Sequence, residues 1–156
     1  MSKTTNKDML KNILKALLRK QRLIRINHQT IWSIGIYTGN SPLNLKPDFQ
    51  ITNRVLTGKD VTDIEANSVA DPFMIYENGI WYMFFEAIDL SNNLGKIALA
   101  TSQNGFNWTY HQIIIDEPFH LSYPYVFNWK NEYYLIPESQ NNKSVRLYKA
   151  VKFPTK

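Results

Sequence analysis

Residues 69–87 read VADPFMIYENGIWYMFFEA, and residues 121–139 read LSYPYVFNWKNEYYLIPES. The two stretches align without a gap at an offset of 52 residues, Val69 falling on Leu121. Pro72 meets Pro124, Phe73 meets Tyr125, Trp81-Tyr82-Met83 meets Tyr133-Tyr134-Leu135, and Glu86 meets Glu138. Further along, Lys96-Ile97-Ala98-Leu99 parallels Ser144-Val145-Arg146-Leu147 at an offset of 48. Self-similarity at a near-constant period marks a repeated supersecondary unit.

Each unit reads as antiparallel strands. Residues 73–76 form a short strand, Glu77-Asn78-Gly79 is a turn carrying the Asn-Gly hairpin signal, and 80–86 return. A polar loop at 91–95 leads to a strand at 96–101. Gln103-Asn104-Gly105 turns again, and 108–115 form a fourth strand. Four strands in about 50 residues match one β-propeller blade. The second copy supplies strands at 125–129, 132–137 and 144–150. The blades therefore span about 69–116 and 121–150, and 31–37 reads as a strand of a closing blade. The expected fold is all-β: a partial five-bladed β-propeller of about two blades, preceded by a short amphipathic α-helix. The plain alternative is a β-meander or sandwich whose halves are alike by chance.

That helix is expected at 8–23. Leu10, Ile13, Leu14, Leu17 and Leu18 form one apolar stripe, with Lys11, Lys15, Arg19 and Arg22 mostly on other faces. Residues 1–25 hold eight bases and one acid; since the chain has 18 bases and 13 acids, ten bases and twelve acids remain for the rest. The net charge of +5 thus belongs to residues 1–30, a basic helix and linker, and not to the 31–156 domain. Without a basic patch, that domain has no footprint for nucleic acid. The helix stripe suits docking on the chain or a protein partner, or else contact with an anionic membrane surface.

Composition narrows the rest. With 156 residues, 44% hydrophobic and 20% charged, the chain is globular and can bury a core. Cysteine is absent, which removes disulfides, thiolate metal sites and cysteine nucleophiles. No apolar run approaches the roughly 18 residues of a spanning helix, and no secretory leader pattern is present, so the expectation is a cytoplasmic chain. Three scattered histidines give no metal cluster, and no phosphate-cradling glycine loop or nucleophile elbow occurs. No metal or cofactor is expected.

The ordered series of Ala-Asp-Pro-Phe, Trp-Tyr-Met-Phe-Phe-Glu and Ile-Ala-Leu-Ala-Thr-Ser-Gln-Asn-Gly-Phe-Asn-Trp resembles the five-bladed propellers of glycoside hydrolase family 43 and its relatives. The segments WSIGIYTGNSPLNL, ADPFMI and EPFHLSYPYVF followed by YYLIPES are similar to one subgroup. It is the N-terminal propeller domain of plant glucosamine inositolphosphorylceramide transferases and their bacterial relatives. The resemblance spans 31–156 and implies a carbohydrate-related module. In the hydrolases the Asp of the first blade is the general base, and Asp71 matches it. A second Asp, on the next blade, tunes the acid; Tyr123 stands at that position. A Glu on a later blade is the general acid, and Glu138 is the candidate counterpart.

The chemistry explains such a grouping. One carboxyl protonates the leaving oxygen while another activates water, roughly 6.5–9.5 Å apart in inverting enzymes. Innermost strands of adjacent blades converge and can supply both. Asp71 is expected just before an inner strand; its plain reading is a turn Asp before proline. Glu86 and Glu138, repeated in both units, also suit architectural roles. His120 and Tyr123 precede the second inner strand and can hydrogen-bond a sugar, with Glu86 as a further binding candidate. Trp81 and Trp108 suit core packing better than sugar stacking. Ser102 and Asn104 to Trp108 resemble a Ser-x-Asp-Gly-x-x-Trp brace with Asn for Asp.

Two blades leave both flanks open, so the chain reads as a fragment, a truncated reading frame or half of an assembly. The expected function is a carbohydrate-associated module, a non-catalytic piece of a larger glycan-processing protein. The alternative is a family 43-like glycosidase completed by another chain that supplies the missing blades, with Asp71 as base. A weaker third reading is a membrane-peripheral protein using the basic helix.

Overall fold

The computed structural model describes residues 30–156, so the helix expected at 8–23 lies outside the described residues. In chain order these residues form β1 (Thr38–Gly39), β2 (Leu45–Lys46), a 3-10 turn at Gly58–Asp60, β3 (Ala66–Glu77), β4 (Ile80–Asp89), β5 (Leu94–Ser102) and β6 (Thr109–Ile115). Then come β7 (Ser122–Trp129), β8 (Glu132–Glu138), a 3-10 turn at Gln140–Asn142 and β9 (Tyr148–Lys149). They make three antiparallel sheets, each with strands in chain order: β1-β2, β3-β4-β5-β6 and β7-β8-β9. The protein is all-β over this span.

Two-residue turns set the register of both larger sheets. Asn78 and Gly79 take φ of 50 and 82, which lets β3 fold back on β4 with Glu77 opposite Ile80. Positive φ at both centres matches the right-handed twist of the flanking strands. Lys130 and Asn131 do the same at φ 53 and 62, placing Trp129 opposite Glu132.

The first sheet is buried on both faces. Met83, Phe85 and Ala87 of β4 turn to one side, where Ile34, Leu56 and Val61 of the preceding segment cover them. Phe84 of β4 with Ile97 and Leu99 of β5 turns to the other, onto Leu121, Val126 and Leu135 of the second sheet and its lead-in. That is why 81–87 is almost continuously apolar rather than alternating. Fully burying a side chain such as Phe85 stabilises by about 1.5–3 kcal/mol.

The first sheet's last turn is braced as the sequence motif suggests. Ser102 Oγ accepts from Gly105 N–H at 2.9 Å, and Asn104 Oδ1 accepts from the Phe106 and Asn107 amides at 2.9 Å each. Trp108 Nε1–H closes the turn on Gly105 O at 3.0 Å and packs at the edge of the core. Trp81 lies against Tyr76, ring centroids 4.9 Å apart.

Two expected strands are corrected. Residues 31–37 make a single bridge, Ile34 to Leu56, instead of a strand. The Asn53 side chain takes the place of a strand neighbour, accepting from Ile36 N–H at 2.7 Å and donating to Ile36 O at 2.8 Å. Residues 144–150 shrink to the two-residue β9. The 3-10 turn and the left-handed Lys143, φ 51, consume the chain ahead of it.

Candidate functional site

The site begins with two bulges. In β3 the register slips between Ala70 and Phe73, and Asp71 takes φ 50 before Pro72. In β7 it slips between Ser122 and Tyr125, and Tyr123 takes φ 50 before Pro124. Proline has no N–H to place in a ladder, so a bulge is where a strand tolerates it. A bulge also re-aims a side chain out of the strand's alternation. An aspartate visits the left-handed region at modest cost, whereas a tyrosine there is a true outlier. Tyr123 is more than half exposed, and its ring stands edge-on to Phe73 at 4.7 Å. Asp71 therefore sits within a strand, not before one as expected.

Across each bulge stands a glutamate. Ala70 pairs with Glu86 and Ser122 pairs with Glu138. The two differ in environment. Glu138 is exposed, while Glu86 is 6% exposed. Burial pushes the Glu86 carboxyl up to about 7, and the nearby Asp71 and Glu138 carboxylates add to the rise. The fold thus gathers three carboxyls from β3, β4 and β8.

His120, in the connection from β6 to β7, joins them. Its Nε2 lies 2.9 Å from Glu86 Oε1, and its Nδ1 accepts from Gly95 N–H at 2.9 Å. Both ring nitrogens are engaged inside the protein, so His120 holds Glu86 and reaches a sugar hydroxyl only by giving up one of these bonds. Leu121 N–H donates to Gly95 O at 2.9 Å. Gly95 has to be glycine: a Cβ there would overlap the Leu121 carbonyl oxygen and Glu86 Oε1. Sequence reasoning missed Gly95, although an isolated glycine opening a strand signals a close backbone approach.

The five residues singled out from sequence (Asp71, Glu86, His120, Tyr123, Glu138) thus fall at the junction of the two sheets. Asp71, Tyr123, Glu138 and His120 are exposed or half-exposed, while Glu86 is buried. Among the described residues no His, Asp and Glu set has a metal-holding arrangement. A cavity of about 250 Å³ lies elsewhere, between Phe84, Leu135 and Phe153, and none of the five lines it. Its lining is mostly apolar and holds no carboxyl side chain.

Comparison with known proteins adds the following. The family model of glucosamine inositolphosphorylceramide transferase 1, N-terminal, matches residues 24–156. Glucosamine inositolphosphorylceramide transferase 1 of Oryza sativa subsp. indica is 39% identical over 138 residues, 79% of this chain and 18% of the rice protein. The Arabidopsis thaliana protein of the same name is 36% identical over 145 residues, 83% of this chain and 19% of its own. The chain spans under one fifth of the length of these curated relatives. Among solved structures, the family 32 β-fructofuranosidase of Bombyx mori superposes with a TM-score of 0.55 at 16% identity, over 76% of this chain and 27% of that one. At that identity the likeness speaks for the fold.

Proposed function

This chain belongs to the family of the N-terminal region of glucosamine inositolphosphorylceramide transferase 1, and from that premise we propose that residues 31–156 are part of a five-bladed β-propeller, with two consecutive blades at about 69–116 and 121–150, that binds glycan without hydrolysing it. The glycan lies over Asp71, Tyr123 and Glu138, with the buried Glu86 held beside them by His120. The fold likeness to a β-fructofuranosidase supports the propeller, and the sugar in the relatives' name supports a carbohydrate ligand.

The observation that carries the non-catalytic reading is the pair of matched bulges. Both hold a residue at φ 50 ahead of proline, but one presents a carboxylate and the other a phenol. A phenol offers a hydrogen bond to a sugar hydroxyl and no carboxylate charge. The family resemblance assigns a second aspartate to the place that Tyr123 fills. The test is glycan binding by the intact chain, with Asp71→Asn and Tyr123→Phe, beside turnover on aryl glycosides. Binding that weakens in both variants, with no turnover, is the expected result. Clear turnover by the unaltered chain, abolished in Asp71→Asn, would establish the second reading, a glycosidase with Asp71 as base. One observation favours that alternative: the Glu86 carboxyl, pushed up to about 7 by burial and then by Asp71, is part protonated near neutrality beside that carboxylate.

A partner follows from the second sheet's outer face. Tyr125, Phe127 and Tyr134 stack there, Tyr125 on Phe127 and Phe127 on Tyr134, each at 5.6 Å between centroids. They occupy the repeat positions of Phe73, Ile75 and Tyr82, which in the first sheet pack against the Leu121, Val126 and Leu135 cluster. A further sheet of the same kind, from this protein or another chain, is the partner that face suits.

A further inference from the structure

The contact between Glu86 and His120 also decides where a proton can sit. His120 Nδ1 takes the Gly95 N–H at 2.9 Å. A backbone amide only donates, so Nδ1 must present its lone pair. The single proton of the neutral ring is then on Nε2, directed at Glu86 Oε1, 2.9 Å away. A second ring proton, on Nδ1, would set two donors face to face and free the Gly95 N–H in a tight corner. Leu121 N–H docks on Gly95 O in that same corner. The carboxyl meets no such obstacle. Glu86 can hold a proton on Oε2 while Oε1 goes on accepting from Nε2–H.

We infer that Glu86 and His120 form a one-proton switch in which the carboxyl, and not the imidazole, gains the proton, so that the cluster's charge changes while the link between the two sheets stays closed. The groups facing the pair favour this assignment. Asp71 from β3 and Glu138 from β8 both oppose a charge on Glu86, and burial acts in the same direction. Lys96 of β5 is bound by Asp89 at 3.0 Å and by Asp116 at 2.6 Å. Glu117, in the same connection as His120, accepts from the Tyr148 hydroxyl at 2.9 Å. Among the described residues, Glu86 accepts from the neutral His120 ring and makes no ion pair with a lysine or arginine. The switch needs no ligand, so it stands or falls independently of glycan binding. Where a glycan does bind as proposed above, the switch alters the charge it meets by one.

The experiment is nuclear magnetic resonance on the intact chain between pH 5.5 and 8.5. It follows the Glu86 side-chain carboxyl carbon, the two His120 ring nitrogens, and exchange of the Gly95 and Leu121 amides corrected for intrinsic rates. The expected result is a Glu86 transition near neutrality, through which the ring nitrogens keep the neutral pattern with the proton on Nε2. Over that transition, protection of the two amides changes less than threefold. In Glu86→Gln the carboxyl transition disappears and the ring pattern is retained. Ring nitrogens that move to imidazolium values within the same transition, or a tenfold loss of Gly95 protection, would put the proton on His120 and overturn the assignment. A Glu86 carboxyl already fully ionised at pH 5.5 would overturn it too.

Discussion

Replacing Glu86 by glutamine should stabilise the protein in mild alkali and leave it unchanged in mild acid. The folded carboxyl titrates at about 7 against an ordinary 4.5. The folded state therefore binds more protons than the unfolded state between these values. By linkage, stability is fully present below about pH 4.5, falls as pH rises, and reaches its floor above about 7. The gap of about 2.5 pH units, at ~1.4 kcal/mol each, amounts to at most about 3.5 kcal/mol for this largely buried group. Glutamine mimics the protonated acid: its oxygen accepts from His120 Nε2–H, and it cannot ionise. Urea or thermal unfolding of both proteins from pH 5 to 8.5 measures the difference. Curves that converge near pH 5 and part by roughly 2–3 kcal/mol at pH 8, or about 6–10 °C in Tm, are expected. Comparing the two proteins cancels Asp89 and Glu132, whose carboxyls are held low and titrate with the opposite sign. Parallel curves across the whole range would refute the reasoning, because the buried carboxyl would then carry no ionisation penalty.

Gly95→Ala should cost about 2–3 kcal/mol in denaturant unfolding, since its methyl group meets the Leu121 carbonyl oxygen, which cannot rotate away. Gly79→Ala is the control: no atom lies within 4 Å of its Cβ, so only the φ of 82 resists, at about 1 kcal/mol. Equal losses would remove Gly95 from the site's framework. Lys96→Met should cost about 3 kcal/mol at neutral pH, because it leaves the buried Asp89 carboxylate without its cation. Hydrogen bonds from Ser91, and then Lys96 itself, hold the Asp89 carboxyl below its ordinary range. This contribution is present above that range and fades as pH falls through the lowered value, so the gap from the unaltered protein should narrow below about pH 4. A gap that is constant down to pH 2.5 would show that lost packing, and not charge, sets the cost.

The turn at Asn78-Gly79 and the apolar run through Phe85 are local signals, and both were legible from the chain alone. Lys130-Asn131 makes the same kind of turn with no glycine; only its alignment with the first copy pointed to it. Residues 31–37 look like a strand because Ile31, Ile34 and Ile36 suit one. Beyond the single bridge at Ile34, Ile36 finds its hydrogen-bonding partner in the side chain of Asn53, a contact that no periodicity announces. At the site, residue types and repeat positions brought Asp71, Glu86, His120, Tyr123 and Glu138 forward. What stayed hidden was the difference between Glu86 and Glu138. Both hold the same place in the repeat, yet one is buried under the neighbouring sheet and the other faces solvent. Burial is a property of what packs on a strand, and a repeat conceals it.

The chain-ordered pairing of strands bears on how the protein is made. Each strand of the first sheet pairs with the one synthesised just before it, so the sheet can close as soon as Ile115 has left the ribosome. The cover over the face bearing Phe84, Ile97 and Leu99, begun by Leu121 and Val126, is complete only when Leu135 arrives, about 20 residues and roughly one to four seconds later. During that interval a nascent chain carries a finished sheet with one apolar side only partly covered. A chaperone, or a neighbouring nascent chain, would meet that surface first. A pause in translation between codons 116 and 135 should therefore lower soluble yield, whereas one placed before codon 60 should not.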